Sequence, residues 1–454
     1  MDVLAQAPQP TIKCYHSINE NGNATCIPYQ YFTPNSSNTS GRNLQSYNFE
    51  RSIDNFGGSF SFTVKEDTEN LKEPFMDAVQ PLDIIVISES GYDTKKDFIG
   101  VVTTISVGSI ASNLQKSVTV SGKSIEWLFN YYNINADIKV AIFDNSTASL
   151  AFKTDFENKN GETGYPIKKI VTASIKTFKK EVAKFQEISN YVIGDIINIW
   201  FGSDPETYVD APNDMFAFPI SSNLFEGDRV TVIDYIKKLL PSPYYEIFSY
   251  IDDKNMPKLK VRKAPFDSPT AEYTINPNHL TDYTLTRSCE EVYTAFMTYI
   301  EGTDKDPSFY MDLAAAKGDK QKGYDFAKTN AKKAKLYGYQ LLTCSLIGYN
   351  DNPDAVTDDQ KIEKMNEDLE KWFSKLDEMY TGDFTLVNVT SEKHAIIGEW
   401  LNFAKGLYYV ITEKHSWNYG DNPMINYQVI RGGEYPEGNF KPVERLSAVY
   451  KEFE

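Results

Sequence analysis

The residues that could do chemistry in this chain are few and widely separated. Gly122-Lys123-Ser124 ends like a phosphate-binding loop, GxxxxGK[ST], but the first glycine of that pattern would fall at position 117, which is Ser117. We interpret the tripeptide as a turn leading into a short helix capped by Ser124, with Ser117 in the preceding strand. No phosphate site is predicted here.

The histidines and cysteines form no recognisable site. His16, His279, His394 and His415 lie far apart, outside any HExxH or nucleophile motif. His415 lies in an aromatic strand, which is typical of a packed, hydrogen-bonded residue.

Cys14, Cys26, Cys289 and Cys344 contain no CxxC pair and no metal-knuckle spacing. Reduced, buried thiols are the expectation. A bridge between Cys14 and Cys26 would need a hairpin to bring them together.

Acidic residues are plentiful, but their pattern is that of a solvated surface. Asp358-Asp359 and the run from Glu363 to Glu370 are expected on the exposed side of a helix, and Asp252-Asp253 lacks the DxDxDG ladder of a calcium loop. With no paired nucleophile and base, the sequence predicts no enzymatic activity, no cofactor and no metal.

Length and composition indicate a multidomain β-rich protein. A chain of 454 residues exceeds one hydrophobic core of roughly 250–300 residues. The 30 Tyr and 27 Phe favour strands and interfaces. A net charge of −17 argues against wrapping nucleic acid. No signal peptide and no apolar run of about 20 residues is visible, so no membrane insertion is expected.

Alternating and periodic patterns divide the chain into three regions. Strand-rich regions at both ends favour two related β-modules that flank a mixed domain. Strands are predicted at Phe60–Val64, Leu82–Ile87, Phe98–Val107, Ser117–Val120, and, as a hairpin, Tyr244–Tyr250 with Lys258–Arg262. Helices are predicted at Ile167–Phe185, Val230–Leu240, Tyr310–Lys335 and Asp358–Met379.

The run from Phe384 to Gly433 predicts an antiparallel meander of four short strands. One aromatic strand enters as Tyr408–Val410 and passes through His415–Trp417, the next leaves as Tyr427–Gly432, and they contain no catalytic constellation. They are typical of a surface built for a neighbouring subunit.

Three segments together resemble the central baseplate hub family of contractile tails, which covers myophage tail hubs, late-control-type tail proteins and the hub part of secretion spike proteins. One is Asp97–Val102 followed by Val118–Ser124. The second is Val232–Leu240, running through Tyr244–Phe248 to Leu259–Phe266. The third is the C-terminal YYVITEKHSW…YQVIRGG. The resemblance spans most of residues 45–435, excluding an insertion at Tyr310–Met379.

The resemblance implies a β-rich α+β multidomain fold with two tube-type antiparallel β-barrels flanking a mixed α/β domain. The expected boundaries are an N-terminal tail 1–10, a first barrel 11–130, a middle domain 131–270, and a second barrel 271–454 with a helical insertion 305–380. Interface or structural roles are expected for Trp127, Tyr245, Phe248, Arg262, Pro265, Tyr408, Tyr409, Trp417 and Arg431.

The implied function is a homotrimeric ring that joins the hexameric inner tail tube to the trimeric central spike, with tape measure and baseplate wedge proteins as further partners. The implied location is a virion tail baseplate or extracellular injection particle, assembled in the bacterial cytoplasm. Two alternatives are a hub with a peptidoglycan-degrading role and a secreted carbohydrate-binding β-protein. The sequence leaves open whether the particle is a phage or a tailocin, which spike it holds, and whether the trimer needs that spike.

Overall fold

The computed structural model describes residues 10–18, 24–33, 42–53, 55–66, 79–90, 95–109, 116–131, 133–134, 165–168, 171–172, 175–176, 179, 193–212, 216–217, 230–240, 242–301, 328–347, 359–389, 392–404 and 406–434. Residues 1–9 of the expected tail 1–10, most of the Tyr310–Lys335 helix and the end of the Ile167–Phe185 helix lie outside these residues. Helical residues do occur between 167 and 179.

The described chain is mostly antiparallel β-sheet with few helices. The strands are β1 Thr11–Ile18, β2 Ala24–Phe32, β3 Arg42–Ser52, β4 Ser59–Glu66, β5 Ile84–Ser88, β6 Phe98–Ser109, β7 Lys116–Ser124, β8 Asn133–Ile134, β9 Tyr165–Pro166, β10 Val209–Asp210, β11 Phe216–Ala217, β12 Val230–Thr231, β13 Tyr245–Ile251, β14 Pro257–Lys263, β15 Ala271–Thr274, β16 Leu280–Thr286, β17 Ala295–Glu301, β18 Lys328–Thr329, β19 Leu341–Ile347, β20 Tyr380–Val387, β21 Trp400–Phe403, β22 Gly406–Asn418 and β23 Met424–Glu434. The helices are α1 Ile193–Phe201, α2 Pro205–Tyr208, α3 Val232–Leu239, α4 Ala331–Tyr337 and α5 Asp359–Phe373.

Several predicted elements are confirmed. The Tyr244–Tyr250 and Lys258–Arg262 hairpin is β13 paired antiparallel with β14. The Asp358–Met379 helix is α5 followed by a 3₁₀ turn, Leu376–Glu378. Helix α3 starts at Val232 because the Thr231 side chain accepts a hydrogen bond from the backbone N–H of Asp234.

Three local expectations were wrong. Gly122 and Lys123 lie in β7, and Ser124 precedes a 3₁₀ helix without capping it, because its hydroxyl donates to the Glu126 carboxylate. Asp368 on α5 is buried, since Lys263 Nζ and the Tyr244 hydroxyl bind its carboxylate at 2.6 and 3.0 Å.

The C-terminal strands form a Greek key instead of a simple meander, because β20 pairs with β23.

One 13-stranded sheet contains two β-units. We call β1–β7 the N-unit and β15, β16 and β20–β23 the C-unit. Each unit surrounds its own hydrophobic cluster. In the N-unit, β2 returns to the start of β3 through a Thr33–Asn43 bridge and a 3.1 Å hydrogen bond from Leu44 N to Thr33 O.

Five strands of each unit follow the same order. The N-unit has β3–β4–β7–β6–β5 and the C-unit has β16–β20–β23–β22–β21, with every neighbouring pair antiparallel. In both units the chain visits these positions in the same succession. The order supports the expectation of two related β-modules.

Irregularities of the backbone also match between the units. Bulges interrupt the register between Val102 and Thr104 in β6, Val410 and Thr412 in β22, Leu44 and Ser46 in β3, and Leu280 and Asp282 in β16. Leu82 and Gly398 both have positive φ, 72° and 80°, and donate backbone hydrogen bonds to Val102 and Val410 at 2.9 and 2.8 Å. Because bulges are position-specific features, these matches fix which residues of the two units are equivalent.

The middle region packs against the N-unit and the inserted helix. Its three-stranded sheet, β10–β14–β13, shares a core with β5, β6 and α5. Tyr244 stacks on Trp372 of α5 at 5.2 Å, which places the described part of the insertion on the middle hairpin. None of the helices in the described ranges is long and apolar enough to cross a membrane.

Candidate assembly surface

Strand β22 joins the two β-units. Its first residues, Gly406–Tyr409, pair with β21 inside the C-unit. Beyond the bulge, Thr412–Asn418 pairs antiparallel with Ser46–Ser52 of β3. One edge of β22 is therefore shared between the two units, and their junction is a continuous backbone ladder.

A buried cluster of polar side chains lies along this junction. The Glu89 carboxylate accepts hydrogen bonds from the Tyr47 hydroxyl at 2.9 Å and from Asn388 Nδ2 at 2.5 Å, and it lies 2.9 Å from His415 Nδ1. The His415 ring stacks on Phe49 with 4.4 Å between centroids. Glu89 thus connects β3, β22 and the segment after β20.

A second buried ion pair lies beside the first. Arg51 Nη1 donates to Glu413 Oε1 at 2.8 Å, and Nη2 donates to the Asp97 carbonyl at 2.6 Å. Its guanidinium also lies over the rings of Phe49 and Phe98. Buried charges need partners, and these residues supply them across the two units.

The charge states follow from burial and proximity. Burial alone would raise the pKa of Glu89, but the positive charge of His415 lowers it below the usual value. Burial alone would lower the pKa of His415, but Glu89 raises it. Glu89 and His415 therefore form an ion pair. Burial, with the nearby charge of His415, lowers the pKa of His394 to about 4, so His394 is neutral near pH 7.

The sequence-predicted residues Arg262 and Tyr409 meet around Glu246. Arg262 Nε donates to the Glu246 carboxylate at 3.2 Å, and the Tyr409 hydroxyl donates to it at 2.6 Å. Arg262 Nη2 also donates to the Gly398 carbonyl and, at 3.0 Å, to the Tyr409 oxygen. This cluster ties the middle hairpin to the C-unit, and the neighbouring Tyr245 and Phe248 are buried in the same hairpin.

Arg431 and Pro265 belong to an adjacent aromatic cluster. The Arg431 guanidinium lies 4.0 Å from the centroid of the Phe266 ring, and its Nη2 donates to the Trp372 carbonyl. Burial lowers the pKa of Arg431 to about 9. The Pro265 carbonyl accepts a hydrogen bond from Trp400 Nε1 at 3.3 Å.

The remaining predicted residues lie elsewhere. Trp417 stacks on Tyr47 at 5.9 Å and belongs to the N-unit core, although its strand is in the C-unit. Tyr408 is buried in the C-unit core against Phe384. Trp127 is half-buried beside Tyr131. Most of the nine predicted residues therefore contact other parts of the same chain.

Sequence reasoning missed Glu89, Asp97, Arg51 and Glu413. Glu89 and His415 are separated by 326 positions, and Arg51 and Glu413 by 362. No local motif marks such pairs.

The described residues form no metal-binding cluster, since no group of three or more His, Cys, Asp or Glu side chains among them could hold a metal ion. Cys14 and Cys344 are buried free thiols and Cys289 is an exposed one. Burial raises the pKa of the Cys344 thiol to about 12.

Comparison with solved structures identifies the fold. The 43 kDa tail protein of prophage MuSo2 from Shewanella oneidensis is similar over 93% of this chain and 98% of its own, with a TM-score of 0.50 and 11% sequence identity. The chain has the fold of a phage tail protein.

Two further solved structures align with lower TM-scores. A tail protein from Neisseria meningitidis MC58 covers 93% of this chain and 96% of its own, at 10% identity and a TM-score of 0.46. The E. coli c3393 protein, described as a type VI secretion component similar to the T4 tail proteins gp27 and gp5, covers 89% and 78%, at 8% identity and a TM-score of 0.41. No protein-family model matches the sequence, and no curated protein matches it significantly.

Proposed function

We propose that this chain is a structural hub of a contractile tail or related injection particle. Three copies form a ring that joins the hexameric inner tail tube to the trimeric central spike. The observation that carries the proposal is the repeat: two β-units with the same five-strand order, joined edge to edge in one chain. The tail-protein fold supports it.

The repeat explains how one protein could match two symmetries. A ring of three chains presents six similar β-units, so one face fits a six-fold tube while the whole keeps three-fold symmetry for a spike. The tube-type barrels correspond to regions 11–130 and 271–454, and the mixed domain to 131–270. Tape measure and baseplate wedge proteins complete the proposed partners.

The proposed role involves no catalysis and no cofactor. The polar clusters at the unit junctions are buried and compensated, so their charges hold the fold together. Purified protein should release no products from peptidoglycan. Turnover that a single Glu→Gln substitution abolishes would contradict this.

The test is reconstitution with the tube and spike proteins of the same particle. Light scattering should give a mass of three times 51.6 kDa for the hub, and negative-stain images should show a three-fold ring with a central hole. The tube protein should bind one face and the spike the other. A hub that stays monomeric within a stable spike complex would refute the proposal.

A further inference from the structure

The junction inside the chain is a template for a second junction. At the first, the outer half of β22 pairs with β3. The matched bulges make β6 the N-unit equivalent of β22, and β16 the C-unit equivalent of β3. Among the described residues of one chain, the β22–β3 pair is present and a β6–β16 pair is not.

The outer half of β6 has one edge that no described strand covers. Its first residues, Phe98–Val101, pair with β5, as Gly406–Tyr409 of β22 pairs with β21. Beyond the bulge, Thr104–Ser109 pairs with β7 on one side, and no described strand lies on the other. Val107 in this segment is 48% exposed.

One edge of β16 is likewise without a strand partner in the described ranges. The strand pairs with β20 and ends the strand order of the large sheet, so its other side carries no described strand. Tyr283 at its centre is 51% exposed. Open edges of this kind favour pairing with another chain unless they are protected.

We propose that Thr104–Ser109 of one copy pairs antiparallel with β16 of the next copy. The proposal rests on the proposed ring of three copies and names the surface that closes it. Transferring the β22–β3 register places Ser106 opposite Thr286, Val107 opposite Leu285, and Gly108 opposite Thr284. Val107 and Leu285 then form an apolar cross-strand pair. They occupy the positions that are equivalent to His415 and Phe49, which stack on each other in the first junction.

This contact is heterologous, since the two edges are different surfaces of one chain. Such a contact closes into a ring when its rotation divides a full turn. Three junctions between chains would alternate with three inside chains, and the open edges of β6 and β16 would all be covered. The ring then needs no further strand partner for either edge.

Complementation between two variants tests the surface. Val107→Glu places a charge on the β6 edge, and Tyr283→Glu places one on the β16 edge. Each should be monomeric by light scattering, because its damaged edge prevents closure. Mixed together, they should form a 1:1 dimer and nothing larger, through the intact β6 of one and the intact β16 of the other.

Cross-linking tests the register independently of those variants. In a Cys289→Ser background, Val107→Cys with Leu285→Cys should give disulfide-linked chains up to three. Val107→Cys with Thr286→Cys is the matched control, because a one-residue shift puts the side chain on the opposite face. Ile199→Glu, at a position 45% exposed and away from both edges, should leave the oligomer intact.

The results of these experiments test the proposed β6–β16 contact and the proposed trimeric ring separately. If wild type is trimeric while both Glu variants stay trimeric and Val107 and Leu285 do not cross-link, this surface is refuted and the ring stands. If wild type is monomeric alone and with its tube and spike proteins, the ring is refuted, and this surface with it.

Discussion

The side chains around Glu89 hold the two β-units in one arrangement. Three donors from β3, β22 and the segment after β20 meet on this carboxylate, and none of them lies near it in sequence. Backbone pairing alone would join β22 to β3. The buried ion pair makes that junction specific, since any shifted register would leave charges without partners.

Removing the charge of Glu89 should therefore destabilise the chain strongly. Glu89→Gln keeps the size of the side chain but removes the anion that stabilises protonated His415, so the buried imidazole loses both its proton and its charged hydrogen-bond partner. Loss of one partner of a buried pair costs about 3–5 kcal/mol, so a marked fall in melting temperature is expected by calorimetry. Glu363→Gln, at an exposed position on α5, is the control and should melt like wild type. Equal melting of the two variants would show that Glu89 carries no such charge.

His394 should make the protein sensitive to mild acid. Its pKa is lowered to about 4 by burial and by His415, whereas an unfolded histidine titrates near 6.5. Because its pKa is lower in the folded state, His394 favours folding at pH values above about 6.5. This contribution to stability is lost as the pH falls from about 6.5 toward 4.

The raised pKa of His415 makes stability depend on pH only above about 6.5. The lowered pKa of Glu89 makes stability depend on pH only below its ordinary value of 4.5. Between pH 6.5 and 5, His394→Gln should therefore lose less stability than wild type, by on the order of 1–2 kcal/mol. Urea unfolding at both pH values measures the difference. Parallel losses in the two proteins would rule out His394 as the acid-sensitive group.

Local sequence patterns predicted individual strands and helices well, but they did not predict which strands pair with one another. The β13–β14 hairpin and helix α5 were predictable because alternation and 3.6-residue periodicity are properties of one short segment. The pairing of β22 with β3, and of β20 with β23, depends on segments distant in sequence. The matching bulges that reveal the repeat are likewise invisible in composition.

The same dependence on distant segments explains which residues of the candidate surface were predictable from the sequence and which were not. Arg262 and Tyr409 were predictable as members of a resembling motif, and the structure brings them together on Glu246. Glu89 directly follows β5 and Asp97 directly precedes β6, and acidic residues at strand ends are normally solvated. Their burial is decided by β22, far along the chain.

Strand β22 should be the element most sensitive to truncation. Trp417→Ala removes a buried ring from the N-unit core while the altered strand belongs to the C-unit. A loss of about 3–5 kcal/mol is expected, with folding and assembly affected together. Ending the chain before Gly406 should be worse, because it removes β22 and β23 and leaves one edge of β3 and one edge of β20 unpaired.

Ile199→Ala, at an exposed position on α1, is the matched control for Trp417→Ala. Thermal melting and light scattering of both variants measure the effect. If Trp417→Ala melts and assembles like wild type, β22 does not hold the two units together.

The assembled ring should depend on backbone pairing and apolar contact more than on charge. Each chain carries a net charge of −17, so neighbouring copies repel one another at long range. The proposed contact between β6 and β16 places Ser106, Val107 and Gly108 against Thr284, Leu285 and Thr286, none of them charged. Salt screens the repulsion and weakens no ion pair in this contact. The trimer should therefore persist or strengthen between 0.1 and 1 M NaCl in light scattering, and dissociate in urea before the β-units unfold. A trimer that falls apart with rising salt would instead require an interface held by ion pairs, at a different surface of the chain.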